Sequence, residues 1–403
     1  MIEWLRRWMP HTRDRMEPEK KSFRSASSVH GVLPRAHWKY RHYHAFANEG
    51  FTRNVIAHRS ISLLAKAAAS VDWQVHDTAT HNRARLPHTH PLVRLLEQPY
   101  PGMSGAFFFE SLYSYRFIAG HAYVLALGLP DAPPHELHLL HPTQVHIVPG
   151  MGPIPSAYRY HAGGHTRDYQ VDPLTGHSDV LQLKAFHPSD PWYGLSPMEA
   201  AAYSIDQHNQ AAEWNQSLLQ HGARPSGALT VKADQWSNGH LTEEQYDRLR
   251  DQMTEMFTGP KNAGRPLVLE GGLSWQPMGM SNREMDFIEA KNSAARDIAL
   301  AFGVPPQLLG IPGDNTYSNM QEARLAFWED TVLPLLDHTK DALNQWLSPR
   351  FGNSLVIDYD QDSISALTSR RQQVWDRIAA AHFLSDEEKR HILGLNRSNQ
   401  EAA

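Results

Sequence analysis

The stretch Asp297-Ile-Ala-Leu-Ala-Phe-Gly-Val-Pro-Pro-Gln-Leu-Leu-Gly-Ile-Pro-Gly-Asp-Asn-Thr-Tyr-Ser-Asn319 holds the end of one helix, a stop, a loop and the start of another helix. Upstream, Ser281 and Glu284 have capping-box spacing, in which hydroxyl and carboxylate satisfy each other's orphan amides, so a helix is expected from Asn282 to about Phe302. Gly303-Val-Pro-Pro306 ends it, because neither proline can donate to a helical carbonyl. After the loop Gly310 to Ser318, the pair Ser318 and Gln321 predicts a helix from Asn319 to about Leu347, with Pro334 removing one hydrogen bond and kinking it.

The same signal recurs at Ser196 with Glu199, Thr242 with Gln245, and Ser385 with Glu388. Pro197 at the first helical position strengthens the first, which predicts a helix to about Gln220. This helix and the one from Asn282 would be rods of roughly 30 to 36 Å at 1.5 Å per residue. The first carries Asp206, His208, Asn209, Gln210, Glu213, Asn215 and Gln216 between alanines, which leaves a thin apolar stripe. Between the rods, Gly227 to Val231 and Leu267-Val-Leu269 read as strands and Glu243 to about Phe257 as a helix. Two rods with a small αβ module at their far end make a stalk with a tip.

Towards the N-terminus, Asn54 to Ser70 is helical with Val55, Ile56, Ile61, Leu64 and Ala68 on its apolar face. Val71 to Val75, Leu137 to Val148 and Ala157 to Tyr160 alternate as strands, and a helix from about Ser104 to Ile118 lies between them. Met1 to about Val32 reads as a loosely ordered arm. Leu355-Val-Ile357 is a further strand, followed by helices over about Ser363 to His382 and Asp386 to Leu393, closed by Gly394. The fold class is α+β.

Composition bounds the chemistry. With no cysteine among 403 residues, disulfides and thiolate metal sites are excluded, and assembly in a reducing cytoplasm is expected. The longest apolar stretch, Phe117 to Leu129, is interrupted by His121 and is too short for a membrane-spanning helix. Residues 1–60 hold 12 Lys/Arg against 5 Asp/Glu, so a net charge of −5 leaves −12 for the remainder. A clamp on DNA phosphates needs clustered cations, and none follow Ser60.

From Asn54 to Gly394 the chain resembles the portal proteins of tailed phages, in the branch shared with gene transfer agents. The resemblance is densest at Asp286-Phe-Ile-Glu-Ala290, Asp297 to Gly310, Asn315-Thr-Tyr-Ser-Asn319 and Glu322 to Phe327. Tyr193-Gly-Leu-Ser-Pro-Met-Glu199 and Gly222-Ala-Arg-Pro-Ser-Gly227 support it. It implies an N-terminal arm (1–53), a wing (54–195), a first stem helix (196–222, with Ser196 and Glu199), a clip (223–280) and a second stem helix (281–303, with Ser281 and Glu284). A tunnel-loop region (304–318), a kinked wing helix and strand (319–361) and a crown (362–403) complete it. Facing DNA would be Ile311, Pro312, Gly313, Asp314, Asn315, Thr316, Tyr317 and Ser318. On the clip, Thr242, Glu243, Glu244, Asp247, Arg248, Arg250 and Asp251 would meet the terminase large subunit or the head-tail connector.

The function implied is a non-enzymatic one, with no cofactor and no membrane. Twelve copies would form a ring at a capsid vertex, contact the major capsid protein, and pass double-stranded DNA during packaging and ejection. The virion is the implied location, after assembly in the host bacterial cytoplasm. Twelve copies at −5 carry −60, and an acidic lumen repels phosphate and lets DNA slide.

A morphogenesis hydrolase or protease and a monomeric DNA-binding adaptor are the alternatives. Pro134-His-Glu-Leu-His138 lacks the i, i+4 histidine pair of a zinc helix, since position 139 is leucine, and its alternation suggests a strand. His88-Thr-His90 is expected to be surface or packing. Asp358-Tyr-Asp-Gln-Asp362 departs from a calcium loop, with Ser363 in place of the turn glycine and Ser369 in place of the terminal glutamate. Gly194-Leu-Ser-Pro-Met198 lacks the second glycine of a nucleophile elbow, so Ser196 reads as a helix cap. No Walker A motif is present, which excludes a packaging ATPase. Trp328 and Trp346 read as packing, and Tyr317 either as a contact to DNA or a neighbouring loop, or as an anchor for its own loop.

Overall fold

Asn54 caps the first long helix: its Oδ1 accepts from the amides of Ile56 and Ala57, both at 3.0 Å, and the helix runs Val55–Ala69. The computed structural model describes residues 42–79, 84–129, 132–152, 154–220, 227–231, 242–244, 247–248, 251, 273–277, 287–313, 317–352, 354–381 and 383–392. The proposed arm up to residue 41 lies outside them. Ala57, Ser60, Ile61, Leu64, Ala65 and Ala68 form the helix's buried face, and their small side chains let it lie along the helix Gly105–Ala119. Val55, expected on that face, is 65 % exposed, because the first residue of the helix points away from the core.

Phe117 to Leu129 is not one element. Gly120, with φ +82°, ends the Gly105–Ala119 helix and turns the chain into the strand His121–Leu127. A side chain on Gly120 would strike the carbonyl of Gly194, and one on Gly194 would strike that of Gly120, so both positions need glycine. The strand is central in an antiparallel sheet, between Val180–Lys184 and Glu136–Leu140. Ala122, Val124 and Ala126 face the main core, whereas Tyr123 and Leu125 face a second one with Val145, Tyr158, Tyr169 and Val180. Burial on both faces explains the continuous apolar run.

The expected strand from Leu137 to Val148 is two strands, Glu136–Leu140 and Val145–Val148, joined by a 3-10 turn at Pro142–Gln144. The second of them opens a meander with Ala157–Ala162 and His165–Gln170. Trp73–Asp77 pairs antiparallel with Leu355–Tyr359, Trp73 opposite Tyr359, which ties the first third of the chain to its end.

The helix expected from Asn319 to Leu347 is longer and less regular. It starts at Tyr317, two residues before the expected start, which places Ser318 in its first turn; sequence patterns place helix starts only to within a residue or two. The irregularity is a π-helical segment, Phe327–Val332, between α-helices Tyr317–Ala326 and Leu333–Trp346. Pro334 follows directly, and the widened turn accommodates the carbonyl that its ring leaves without a donor. Trp346 is buried and its Nε1 donates to the Ser178 carbonyl at 2.8 Å, while Trp328 is half-buried against the main core. The C-terminal helices are Thr368–Ala379, starting later than expected after a 3-10 turn at Ser365–Leu367, and Asp386–Ile392. The latter has the full capping box: Glu388 N–H donates to Ser385 Oγ at 3.3 Å and Ser385 N–H to Glu388 Oε2 at 2.8 Å.

Candidate functional site

The expected first rod is interrupted near its start, as Pro197–Ala200 and Ala202–Gln220 with Ala201 between them. Ser196 is buried; its Oγ accepts from Met198 N–H at 3.0 Å and donates to the Phe117 carbonyl at 2.7 Å. It is a cap, as expected, and not a nucleophile. Glu199 is exposed, and the reciprocal half of its capping box, from the Ser196 amide to the Glu199 carboxylate, does not form. Ser281 and Glu284, the second expected pair, lie outside the described residues.

Met198, Ala201, Ile205, His208 and Ala211 are buried along the first run, and Ala294, Ala295, Ile298 and Ala299 along Phe287–Ala301, which packs against it. A stripe one residue wide leaves other apolar groups uncovered: Tyr203 is 62 % exposed, Trp214 48 %, Ile288 77 % and Leu300 79 %. These are the residues that the sequence reading missed. The signal was present, since each is a large apolar residue off the i, i+3, i+4 stripe.

A buried polar knot fastens the helix pair to the rest. Asn54 Nδ2 donates to Asn209 Oδ1 at 3.0 Å and lies 3.3 Å from His208 Nδ1, while Asn209 Nδ2 donates to the Glu49 carbonyl at 2.9 Å. Burial, with Lys291 adding to it, lowers the His208 pKa, so the ring is neutral and compatible with the amide beside it.

Where Phe287–Ala301 ends, Gly303 takes φ +65° and its carbonyl accepts from Thr331 Oγ1 at 2.7 Å, so the π-helical segment caps the helix. A 3-10 turn, Pro306–Leu309, and Gly310 at φ +72° lead into the proposed tunnel loop. Ile311 is buried against Ala295 and Ala299 and anchors this loop to the helix, so its side chain is withdrawn from any ligand. Pro312 and Gly313 are exposed, and Arg296 donates to the Pro312 carbonyl. Asp314, Asn315 and Thr316 lie outside the described residues, Tyr317 begins the next helix, and Ser318 is exposed.

At the far end, Gly227–Val231 is a strand as expected, but its partner is Leu273–Pro277, antiparallel, with Leu273 opposite Val231. The alternation Leu-Ser-Trp-Gln-Pro was its sequence signal. The expected strand Leu267 to Leu269 lies outside the described residues, as does Arg250. Thr242, Glu243, Glu244, Asp247, Arg248 and Asp251 are exposed.

The metal-like patterns are otherwise engaged. Glu136–Leu140 is a strand, with His138 stacked on Tyr100 and 2.8 Å from Glu136. His88 pairs with Glu97, and His90 caps the helix Pro91–Glu97. Asp358 lies near Lys340, Asp360 accepts from Asp362 N–H, and Asp362 pairs with Arg371. Among the described residues no group of three or more His, Asp or Glu could hold a metal ion, and no helix is long and apolar enough to cross a membrane.

A sequence model of the phage portal protein matches residues 56–394, most of the chain and all of the helix pair, loop and sheets described above. The chain belongs to the phage portal protein family. This portal subunit is 48 % identical over 347 residues to an uncharacterized protein of Rickettsia bellii, covering 86 % of this chain and 88 % of that one. Among solved structures it is similar to a chain in the neck of an empty gene transfer agent particle computed with C6 symmetry, at TM-score 0.70 and 42 % identity, over 90 % of this chain and 95 % of that one. It also resembles one in the neck of a native particle computed with C12 symmetry, at TM-score 0.68 and 41 % identity, over 90 % and 96 %.

Proposed function

We propose that this portal subunit closes with eleven copies of itself into a ring at one capsid vertex, through which double-stranded DNA passes during packaging and ejection. The observation that carries the reading is the helix pair with its uncovered apolar flank. Among the described residues Ile288 and Leu300 are left largely exposed, and cyclic neighbours supply cover for such residues without an open filament. Similar chains in particle necks computed with C6 and C12 symmetry support a closed ring. In this reading the helix pair is the stem, the exposed acidic and basic residues from Thr242 to Asp251 belong to the clip that meets terminase and then the connector, and the loop after Ile311 faces DNA. The major capsid protein surrounds the wing. The ring guides and holds, and the work of translocation belongs to its ATPase partner.

Twelve chains of 45.7 kDa amount to about 548 kDa. Native mass measurement and negative-stain imaging of the purified chain are expected to give a cyclic particle in that range; a monomer at high concentration contradicts the proposal. Deleting Asp314 to Thr316 is expected to leave the ring intact and impair packaging or DNA retention, and loss of assembly would make the loop structural. Replacing the charges at Glu243, Glu244 and Asp247 is expected to weaken terminase binding, and unchanged binding would remove this segment as the docking face.

A further inference from the structure

Arg116 stands in the last turn of the Gly105–Ala119 helix. Its guanidinium is half-buried, and Nη1 is shut off from solvent with no hydrogen-bond partner. No carboxylate of the described residues pairs with it, unlike Arg85, Arg159, Arg350, Arg370 and Arg371, each of which has an acidic partner. The titratable neighbour on the next helix is His338, whose protonated form is disfavoured by burial and by Arg116, and Tyr113 beside it offers a neutral hydroxyl. An arginine held out of water without an acceptor is costly, and native folds keep few such groups without a reason.

The reason is next to it. Arg116 lines a cavity of about 250 Å³ whose other walls are Phe117, Ala185, Pro197, Thr331, Pro334 and Leu335. Those walls are almost entirely hydrocarbon, and the one hydroxyl, on Thr331, already donates to the Gly303 carbonyl. Pro197 heads the first stem run and Thr331 caps the end of the second stem helix, so the cavity lies at the foot of the surface that the ring reading places between subunits. The site therefore has a fixed cation, room for one side chain and no carboxylate of its own among the described residues.

We propose that Arg116 is an inter-subunit anchor: a carboxylate side chain from the adjacent copy of this chain enters the cavity and pairs with the guanidinium. The inference rests on the ring reading. Charge favours it, because the chain carries −12 outside residues 1–60 and an adjacent copy presents mainly carboxylates. Guanidinium suits the task, since its planar fork binds a carboxylate through two parallel hydrogen bonds.

The test compares Arg116→Met and Arg116→Lys with the parent chain by mass photometry across a dilution series, with thermal melting of the unassembled chains. Arg116→Met is expected to melt at or above the parent temperature while needing about tenfold or more protein to assemble; Arg116→Lys is expected to fall between. A cryo-EM map of the parent ring is expected to show an Asp or Glu of the adjacent copy within hydrogen-bond reach of Arg116. Assembly of Arg116→Met at the parent concentration, or a map in which only water or the subunit's own atoms meet the guanidinium, overturns the anchor. A parent chain that forms no ring would fail the ring reading itself, which keeps the two outcomes distinct.

Discussion

Single side chains close the fold where regular pairing stops. Asn344 stands at the open edge of the Leu355–Tyr359 strand, donates through Nδ2 to the Ile357 carbonyl and accepts through Oδ1 from the Ile357 amide, both at 2.7 Å. It thereby imitates a neighbouring strand. Asn344→Leu would leave two buried backbone groups without partners, at a cost of about 2–3 kcal/mol read by chemical denaturation; a change near zero contradicts the role. His121, at the head of the central strand, has its pKa pushed down from 6.5 to about 4 by burial, against a smaller upward pull from Asp190. The unfolded chain takes up this proton near pH 6.5 and the folded chain refuses it until about pH 4, so stability is lost as pH falls through that window. The loss is on the order of 2–3 kcal/mol for this group, and His121→Gln is expected to give a shallower decline between pH 6.5 and 4. An unaltered slope contradicts it. Neither role was legible in the sequence: Asn344 reaches Ile357 only because its helix packs back on the strand, and His121 is buried in the fold beside Tyr193 and near Asp190, about 70 residues further along the chain.

Helices were legible from their apolar period, as after Asn54 and Ser104, and from capping-box spacing at Ser196 and Ser385, both of which cap their helices in the structure. The strand buried on both faces was not, because His121–Leu127 lacks the alternation that marks a half-exposed strand. Pro334 announced a distortion, but its form, a π-helical segment with Thr331 turned onto Gly303, reflects the packing of two helices that the sequence does not join. The two packed helices were recognisable by their thin stripe, and that stripe has a consequence for mutation. Leu300→Glu and Ile288→Glu change residues with little cover in the subunit, so each is expected to shift the melting of the unassembled chain by less than about 0.5 kcal/mol. In the ring the same substitutions bury a charge between copies and are expected to raise the assembly concentration at least about tenfold. A large loss of subunit stability with unchanged assembly would move these residues off the interface.

At the scale of the molecule, the sequence predicts a stalk with a tip, and the resemblance implies an arrangement of copies around an axis. The pairing of Trp73–Asp77 with Leu355–Tyr359 joins in one sheet a segment that precedes the helix pair in the chain and one that follows it. The most direct measurement is a cryo-EM reconstruction of the purified particle along its symmetry axis. The account expects a central pore, with Tyr203, Trp214, Ile288 and Leu300 buried between adjacent copies. A closed monomer without a pore, or a ring in which those four side chains face solvent, would contradict it.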